Sequence, residues 1–187
     1  MAVAQRSDLI RSWPSESQEA AQLVIDAHGE PDEVSDSQLV WYDIGPWKRI
    51  VATKAYWSHD FPAPHIDCVE SVIDYRVPVH KFTPLAEFDG SVICERTAGE
   101  VSARCHDEQA NFLALNLMHD IVTDSKDVQG ARDYYVKEFL DVRRRKPTPY
   151  MNKLQFQPPD GQTADPDERA IADEELDRAK AEAGGGA

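Results

Sequence analysis

The sequence predicts an α+β fold with an antiparallel sheet built from two hairpins and a connecting strand, helices packed mainly on one face, and a disordered acidic C-terminal tail. Two segments rich in aromatic and β-branched residues, joined through Gly45-Pro46, indicate the first hairpin. Two shorter segments around Ala98-Gly99 indicate the second, and amphipathic helical periods lie before and after these hairpins. A chain of 187 residues is long enough for one such domain and a tail.

Each element is expected from a local signal. A helix capped by Ser15 or Ser17 ends at Gly29-Glu-Pro31, because glycine suits the left-handed cap and proline cannot continue the turn. Asp107 can cap the helix that follows the second hairpin. In order, the sequence predicts a helix to residue 28, strands 38–43 and 47–57, a Pro-rich connector 58–64, a strand 68–76, a short helix 79–88, strands 91–97 and 100–105, and helices 108–122 and 126–145.

The second hairpin and the helix after it form the most apolar block of the chain, and we expect the core there. Its apolar residues are Val101, Phe112, Leu113, Leu115, Leu117, Met118, Ile121 and Val122. If the turn centres on Ala98-Gly99, Cys94 faces Ala103 and lies diagonally from Cys105, too far away for a disulfide. A loop one residue longer would place the two cysteines opposite each other. The register of the hairpin therefore decides whether Cys94 and Cys105 can form a disulfide.

The composition divides the chain into three parts. Residues 1–12 are expected to be a flexible N-terminus, residues 13–150 a single α+β domain, and residues 151–187 a Pro-containing, acidic and largely disordered tail. Residues 160–187 carry nine acidic and three basic side chains, and so little apolar surface cannot offset the entropy of ordering. A transient helix over 173–183 is the one element expected there.

Charge and cysteine usage limit the partners and the location. With 20 basic and 34 acidic residues the net charge is −14, which excludes nucleic acid and anionic membranes as expected partners. The N-terminus has no signal-peptide pattern, and no apolar run is long enough to span a bilayer. The three cysteines lack Cys-x-x-Cys spacing and are expected to be reduced thiols, which favours a cytoplasmic location. A protein with a basic surface is the remaining expected partner, and the sequence leaves the oligomeric state open.

Several segments resemble a family of uncharacterised bacterial proteins. They are Gly-Glu-Pro-Asp-Glu (29–33), Gly-Pro-Trp-Lys-Arg (45–49), His-Asp-Phe-Pro-Ala-Pro-His-Ile-Asp (59–67), Glu-Phe-Asp-Gly-Ser-Val-Ile (87–93), Asn-Phe-Leu-Ala-Leu-Asn-Leu (111–117) and Thr-Ala-Asp-Pro-Asp-Glu (163–168). The resemblance covers roughly residues 13–171 and implies a bacterial source and a stand-alone protein. It implies no activity, cofactor or catalytic residue.

His59, His65 and Asp67 are candidate metal ligands, because imidazole and carboxylate groups bind zinc and iron. His65 and Asp67 share one face of a strand, but an extended connector would leave His59 about 20 Å from His65 unless the chain folds back. A third ligand would otherwise have to come from His80, His106 or His119. The competing interpretation is a solvated loop whose prolines set its direction. That interpretation is favoured because only two ligands can be placed, so no cofactor is predicted, although a divalent metal is possible.

Two other groups are candidate ligand or partner surfaces. Trp41, Trp47 and Trp57 are concentrated in the first hairpin, where one face packs on the core and the other can present aromatic rings. Asn116 and His119 lie on one side of the most apolar helix, where they either line a cavity or form an ordinary polar stripe.

The favoured hypothesis is therefore a non-catalytic binding or protein-interaction protein that uses the aromatic hairpin and the acidic tail. The alternative is a metal-dependent enzyme with a site around His65 and Asp67. A third hypothesis is a small-molecule pocket with Asn116 and His119 at its mouth. The sequence contains no Gly-rich phosphate loop, Gly-x-Ser-x-Gly or His-Glu-x-x-His motif, so the enzyme classes that carry those motifs have no support.

Overall fold

The computed structural model describes residues 10–159 and 161–184. A six-stranded antiparallel sheet forms its centre, and the α+β prediction is confirmed. The strands are β1 (Glu33–Val34), β2 (Gln38–Ile44), β3 (Trp47–His59), β4 (His65–Asp74), β5 (Val92–Glu95) and β6 (Glu100–Cys105). The helices are α1 (Ser15–His28), α2 (Phe82–Phe88), α3 (Glu108–Val122), α4 (Val128–Arg143), α5 (Pro149–Asn152) and α6 (Asp173–Gly184), and a 3-10 turn (Val79–Lys81) precedes α2.

The sheet has the spatial order β1-β2-β3-β4-β6-β5, and every neighbouring pair is antiparallel. The predicted hairpins are β2–β3 and β5–β6, and β4 is the predicted connecting strand between them. The sequence did not predict the two-residue strand β1. Both edge strands are short, which limits pairing with another chain at the sheet edges.

The core lies against one face of the sheet. Four residues that pair across the sheet on this face are all buried: Trp41, Ile50, Ser71 and Ala103. Helix α1 packs on β3 and β4 at this face, and α3 packs on β4 and β6. The buried Asn111 of α3 donates a hydrogen bond to the Ser71 hydroxyl at 2.9 Å. The expected core residues of α3 are buried or partly buried, as the apolar pattern predicts. On the opposite face, Arg49 forms an ion pair with Glu100 at 2.7 Å.

The second hairpin has a different register from the predicted one. Cys94 pairs with Val101 rather than facing Ala103, and the last pair before the turn is Glu95 with Glu100. The loop between them closes through Gly99, whose φ of 69° is easily adopted only by glycine. This register separates Cys94 from Cys105 along the sheet, and all three cysteines of the chain are free.

Strands β3 and β4 extend further than the sequence predicts, and this extension shapes the candidate site. We predicted that β3 ends at residue 57 and that the next strand starts at residue 68. In the structure, Trp57 pairs with Asp67, Ser58 with Ile66, and His59 with His65. The Pro-rich connector is therefore reduced to the turn over residues 60–64, and the chain does fold back on itself.

The described residues after 150 contact the domain at several points. Met151 is buried in the core, and the Phe156 ring stacks on the His119 ring with centroids 4.1 Å apart. Further along, Asp165 forms an ion pair with Arg96 at 3.0 Å. The boundary at residue 150 and the disorder of the tail stay predictions, but the structure packs residues 151–167 against the domain at these points.

Close packing at Gly99 marks one of these contacts. A Cβ atom at this position would overlap the backbone of Thr163 and Ala164. Helix α6 lies where the transient helix was expected, and its described side chains are all exposed. At the other end of the chain, residues 1–9 of the expected flexible N-terminus lie outside the described residues, whereas Ile10 is buried. Among the described residues, no helix has the length and apolar character needed to cross a membrane.

We expect two C-terminal truncations to differ in thermal stability. Removal of residues 170–187 takes away exposed side chains of α6 and should leave the Tm unchanged. Removal of residues 160–187 also removes buried Thr163 and the ion pairs of Arg96. Differential scanning fluorimetry should then show a Tm lower by a few degrees, since about 1 kcal/mol corresponds to ~2–4 °C at this chain length. Equal Tm values for both truncated chains would contradict the docking of residues 163–167.

Candidate functional site

The turn between β3 and β4 brings His59, His65 and Asp67 together at one end of the sheet. One potential ligand atom from each residue lies within 4.8 Å of those of the other two. The pairing of His59 with His65 produces this proximity, because directly opposed residues of an antiparallel pair project to the same face. Asp67, two residues after His65 on β4, lies on the same face.

The two ring nitrogens of His65 have different surroundings. Nδ1 lies 2.9 Å from the Ala63 carbonyl oxygen, which can only accept, so Nδ1 is the donor. Nε2 faces Asp67 Oδ1 at 3.1 Å and Cys105 Sγ at 3.3 Å. The nearby Asp67 carboxylate and, next, the Cys105 thiol raise the pKa of His65 to about 11.

His59 approaches the same carboxylate from the other strand. Its Nδ1 lies 3.3 Å from Asp67 Oδ2, and its Nε2 lies 3.7 Å from Asp89 Oδ1. The Ser91 hydroxyl donates to Asp67 Oδ2, and the Ser91 amide donates to Asp89 Oδ1 at 2.8 Å. Burial raises the pKa of the Asp89 carboxyl.

Asp67 is the buried centre of this cluster. It is 2% exposed, and its Oδ1 receives no hydrogen bond from any described residue. The two histidines are about one fifth exposed, so the cluster is open on the histidine side and closed beneath the carboxylate. A buried carboxylate requires a compensating positive charge or a full set of hydrogen bonds.

Cys105, Tyr135 and Phe61 line the closed side of the cluster. Cys105 is buried, and burial raises the pKa of its thiol. Tyr135 is also buried, and its ring packs against Phe61 with centroids 5.1 Å apart. The Arg132 guanidinium covers the outer face of the Phe61 ring at 3.8 Å.

The structure corrects the predicted aromatic surface. Trp41 and Trp47 are 1% and 2% exposed, because both rings point into the core, and Trp47 packs on Phe112 with centroids 4.6 Å apart. Only Trp57 of the three candidates reaches the surface, where it is 49% exposed and lies under the Arg104 guanidinium at 4.4 Å. The three tryptophans therefore do not form one contact surface.

Asn116 and His119 hold the C-terminal segment rather than a pocket mouth. The Asn116 amide donates to the carbonyl oxygens of Tyr150 and Lys153, and its oxygen accepts from the Gln155 amide at 2.6 Å. His119 Nδ1 lies 2.9 Å from the Tyr75 hydroxyl, and burial lowers the pKa of His119. A nearby cleft of about 580 Å³ is lined by other residues, Phe112 and Phe156 among them.

The sequence identified three residues of the cluster and missed three of their neighbours. Asp89, Ser91 and Cys105 reach the site from other strands and loops, so no local spacing connects them to His65. The pairing of Cys105 with Val69 places its thiol beside His65. The expected third ligand from His80, His106 or His119 is replaced by His59.

Comparison with family models, with curated proteins and with solved structures gives no match to this chain. The resemblance described for the sequence therefore stays an expectation.

We expect Asn116→Asp to destabilise the protein by about 2–4 kcal/mol, because the variant places a carboxylate against two carbonyl oxygens inside the core. Urea denaturation followed by circular dichroism measures this loss. Asn152→Asp, at an exposed position of α5, is the matched control and should change the free energy of unfolding little. Equal losses in both variants would show that Asn116 does not hold the segment.

Proposed function

We propose that this protein binds a divalent transition-metal ion, with zinc as the expected ion, between His59, His65 and Asp67. The observation that carries the proposal is that two hydrogen-bond acceptors, His65 Nε2 and Asp67 Oδ1, face each other. Because His65 donates through Nδ1, a neutral ring has its lone pair at Nε2, and that atom faces buried Asp67 Oδ1 at 3.1 Å. Two acceptors at this separation repel each other unless a cation lies between them.

A proton on His65 Nε2, instead of a metal ion, is the competing explanation for the short contact between His65 and Asp67. The raised pKa of His65 agrees with such a protonated ring. A proton between His65 and Asp67 does not account for the second imidazole, since His59 Nδ1 lies 3.3 Å from the other oxygen of the same carboxylate. Two imidazoles around one buried carboxylate are the side chains that zinc binds in three-ligand sites.

The surroundings of both histidines also suit a metal site. Imidazole ligands commonly direct the nitrogen that does not bind metal to a carbonyl or carboxylate oxygen, which fixes the ring. The Ala63 carbonyl oxygen occupies this position at His65, and Asp89 lies on the corresponding side of His59. Ser91 orients the third ligand through its hydrogen bond with Asp67.

Two contacts in the cluster are as short as the separations around a tetrahedral ion. Bonds of about 2.0 Å at the tetrahedral angle place two ligand atoms ~3.3 Å apart. His65 Nε2 lies 3.1 Å from Asp67 Oδ1, and His59 Nδ1 lies 3.3 Å from the other oxygen, Oδ2, while the set of one ligand atom from each residue fits within 4.8 Å. Zinc is favoured over magnesium and calcium because those ions prefer sites made of oxygen ligands.

Such an ion would give the site a definite chemistry. Zinc acts as a Lewis acid and lowers the pKa of a bound water to about 7, so a water at the fourth coordination position becomes a hydroxide nucleophile near neutral pH. Metal-dependent hydrolysis would be the enzyme class of this site only with the fourth position open to water, whereas a fourth protein ligand would make the site structural.

We expect protein purified without chelators to contain close to one zinc ion per chain, measured by elemental mass spectrometry. Asp67→Asn keeps the shape of the side chain but removes its charge, and His65→Ala removes an imidazole. Each variant should weaken zinc binding by more than the ~10–100-fold that loss of an outer partner costs. Isothermal titration with zinc chloride measures this change.

His80→Ala is the matched control, because His80 is exposed and lies outside the cluster. Circular dichroism of each variant should match that of the unmodified chain. A folded protein that contains no metal and binds no added zinc would overturn the proposal and leave the protonated His65–Asp67 pair as the explanation. Equal zinc affinity in His65→Ala and His80→Ala would also overturn it.

Protein interaction is a second candidate function, and the character of α6 favours it. Its described side chains are exposed, and its first turn carries Asp173, Glu174 and Glu175. A partner with a basic surface fits this charge. The exposed Trp57 is the aromatic residue that can contribute to such a contact.

A further inference from the structure

We propose that Cys105 supplies the fourth ligand of the metal ion, so that the resting site is closed by two imidazole nitrogens, one carboxylate oxygen and one thiolate. This inference rests on the proposed function, and it assigns the coordination position that the three-residue cluster leaves open. Two independent observations carry it: the position of the thiol beside His65, and the buried Asp67 oxygen without a hydrogen-bond donor.

The β4–β6 register places Cys105 in the site. Cys105 is the last residue of β6, and it pairs with Val69, two residues after Asp67 on β4. Its Sγ lies 3.3 Å from His65 Nε2, the same nitrogen that faces Asp67 Oδ1. One nitrogen thus lies within 3.3 Å of both a thiol and a carboxylate oxygen.

The separation of 3.3 Å between Cys105 Sγ and His65 Nε2 is close to that of two ligands on one ion. Bonds of about 2.0 Å to nitrogen and 2.3 Å to sulfur place these two ligands ~3.5 Å apart at the tetrahedral angle. The three-residue cluster spans up to 4.8 Å, so an ion would draw its side chains together by about 1.5 Å. The strands that carry these side chains are already paired with one another.

A cysteine–histidine nucleophile is the other chemistry available to this pair, and the geometry disfavours it. In such a pair the acid that orients the base binds the ring nitrogen remote from the nucleophile. Here Asp67 and Cys105 face the same nitrogen, and the remote nitrogen bonds the Ala63 carbonyl oxygen. Cys105 is also only 7% exposed, which keeps a substrate away from the sulfur.

Metal binding by Cys105 has a defined proton balance. The S–H bond breaks, a bond between sulfur and metal forms, and the thiol proton leaves to solvent. The thiolate adds a second negative charge to that of Asp67, and together they neutralise a divalent cation. A soft sulfur ligand also narrows the choice of metal, because it favours zinc and related transition metals over hard cations.

Cobalt(II) substitution tests the assignment, because tetrahedral cobalt has visible ligand-field bands and a cobalt–thiolate bond adds a strong near-ultraviolet charge-transfer band. With one equivalent of cobalt chloride, the unmodified chain should show both. Cys105→Ser should keep the visible bands, lose the charge-transfer band and bind zinc at least about 10-fold more weakly. Cys94→Ser, in the neighbouring strand of the same hairpin, should retain both features.

Each outcome distinguishes the two proposals. Visible bands without a charge-transfer band in the unmodified chain would overturn the role of Cys105 and leave the three-residue site intact. A charge-transfer band that survives in Cys105→Ser but disappears in Cys68→Ser would assign the thiolate ligand to Cys68. That result would also overturn the proposed role of Cys105. No cobalt or zinc binding at all would overturn both proposals. Cys105→Ala, checked by circular dichroism, replaces the serine variant if a buried hydroxyl prevents folding.

Discussion

The register between β3 and β4 is the constraint on which the candidate site depends. A slip of one residue would turn His65 and Asp67 to the opposite face of the sheet, because side chains alternate along a strand. The pairing of His59 with His65 lies beyond an irregularity between Ala52 and Trp57, so this part of the hairpin is set separately from the rest of β3. Two contacts orient the β4 side chains at this end: the Ser91 hydroxyl donates to Asp67, and His65 bonds the Ala63 carbonyl oxygen.

The second constraint is the cost of burying the Asp67 carboxylate. An ionised carboxyl group without compensation is expensive inside a protein, and Asp67 has one oxygen bonded by Ser91 and another without a hydrogen-bond donor among the described residues. Positive charge must therefore come from the two imidazoles or from an ion that they hold. The same requirement connects four parts of the fold, since the groups around Asp67 come from β3, β4, β6 and the loop before β5.

Much of the fold could be predicted from the sequence, because the signals involved are local. The two hairpins, the connecting strand and the buried face of α3 follow from alternation, helical periodicity and capping residues. The predicted register of the second hairpin was wrong because the last pair before the turn is Glu95 with Glu100. Gly99 lies in the loop with a positive φ, a conformation that the sequence pattern does not specify. The burial of Trp41 and Trp47 could not be predicted either, since an aromatic-rich hairpin has the same composition whichever face packs on the core.

The candidate site was predicted only in part. The sequence showed which residues could bind a metal, but it did not show which of them lie close together in the fold. His59, His65 and Asp67 were recognised as ligand types, but proximity in space depends on how a Pro-rich segment turns, and the extended geometry assumed for it kept His59 away. Cys105 follows Asp67 by almost forty positions, and only the pairing of β4 with β6 brings them together. A metal ion at this place would bind ligands from strands that are already neighbours, so most of the ordering entropy is lost during folding rather than during binding. For the same reason, any ion held by these side chains would stabilise the hairpin that presents them, because a ligand that binds only the folded chain shifts the folding equilibrium towards it.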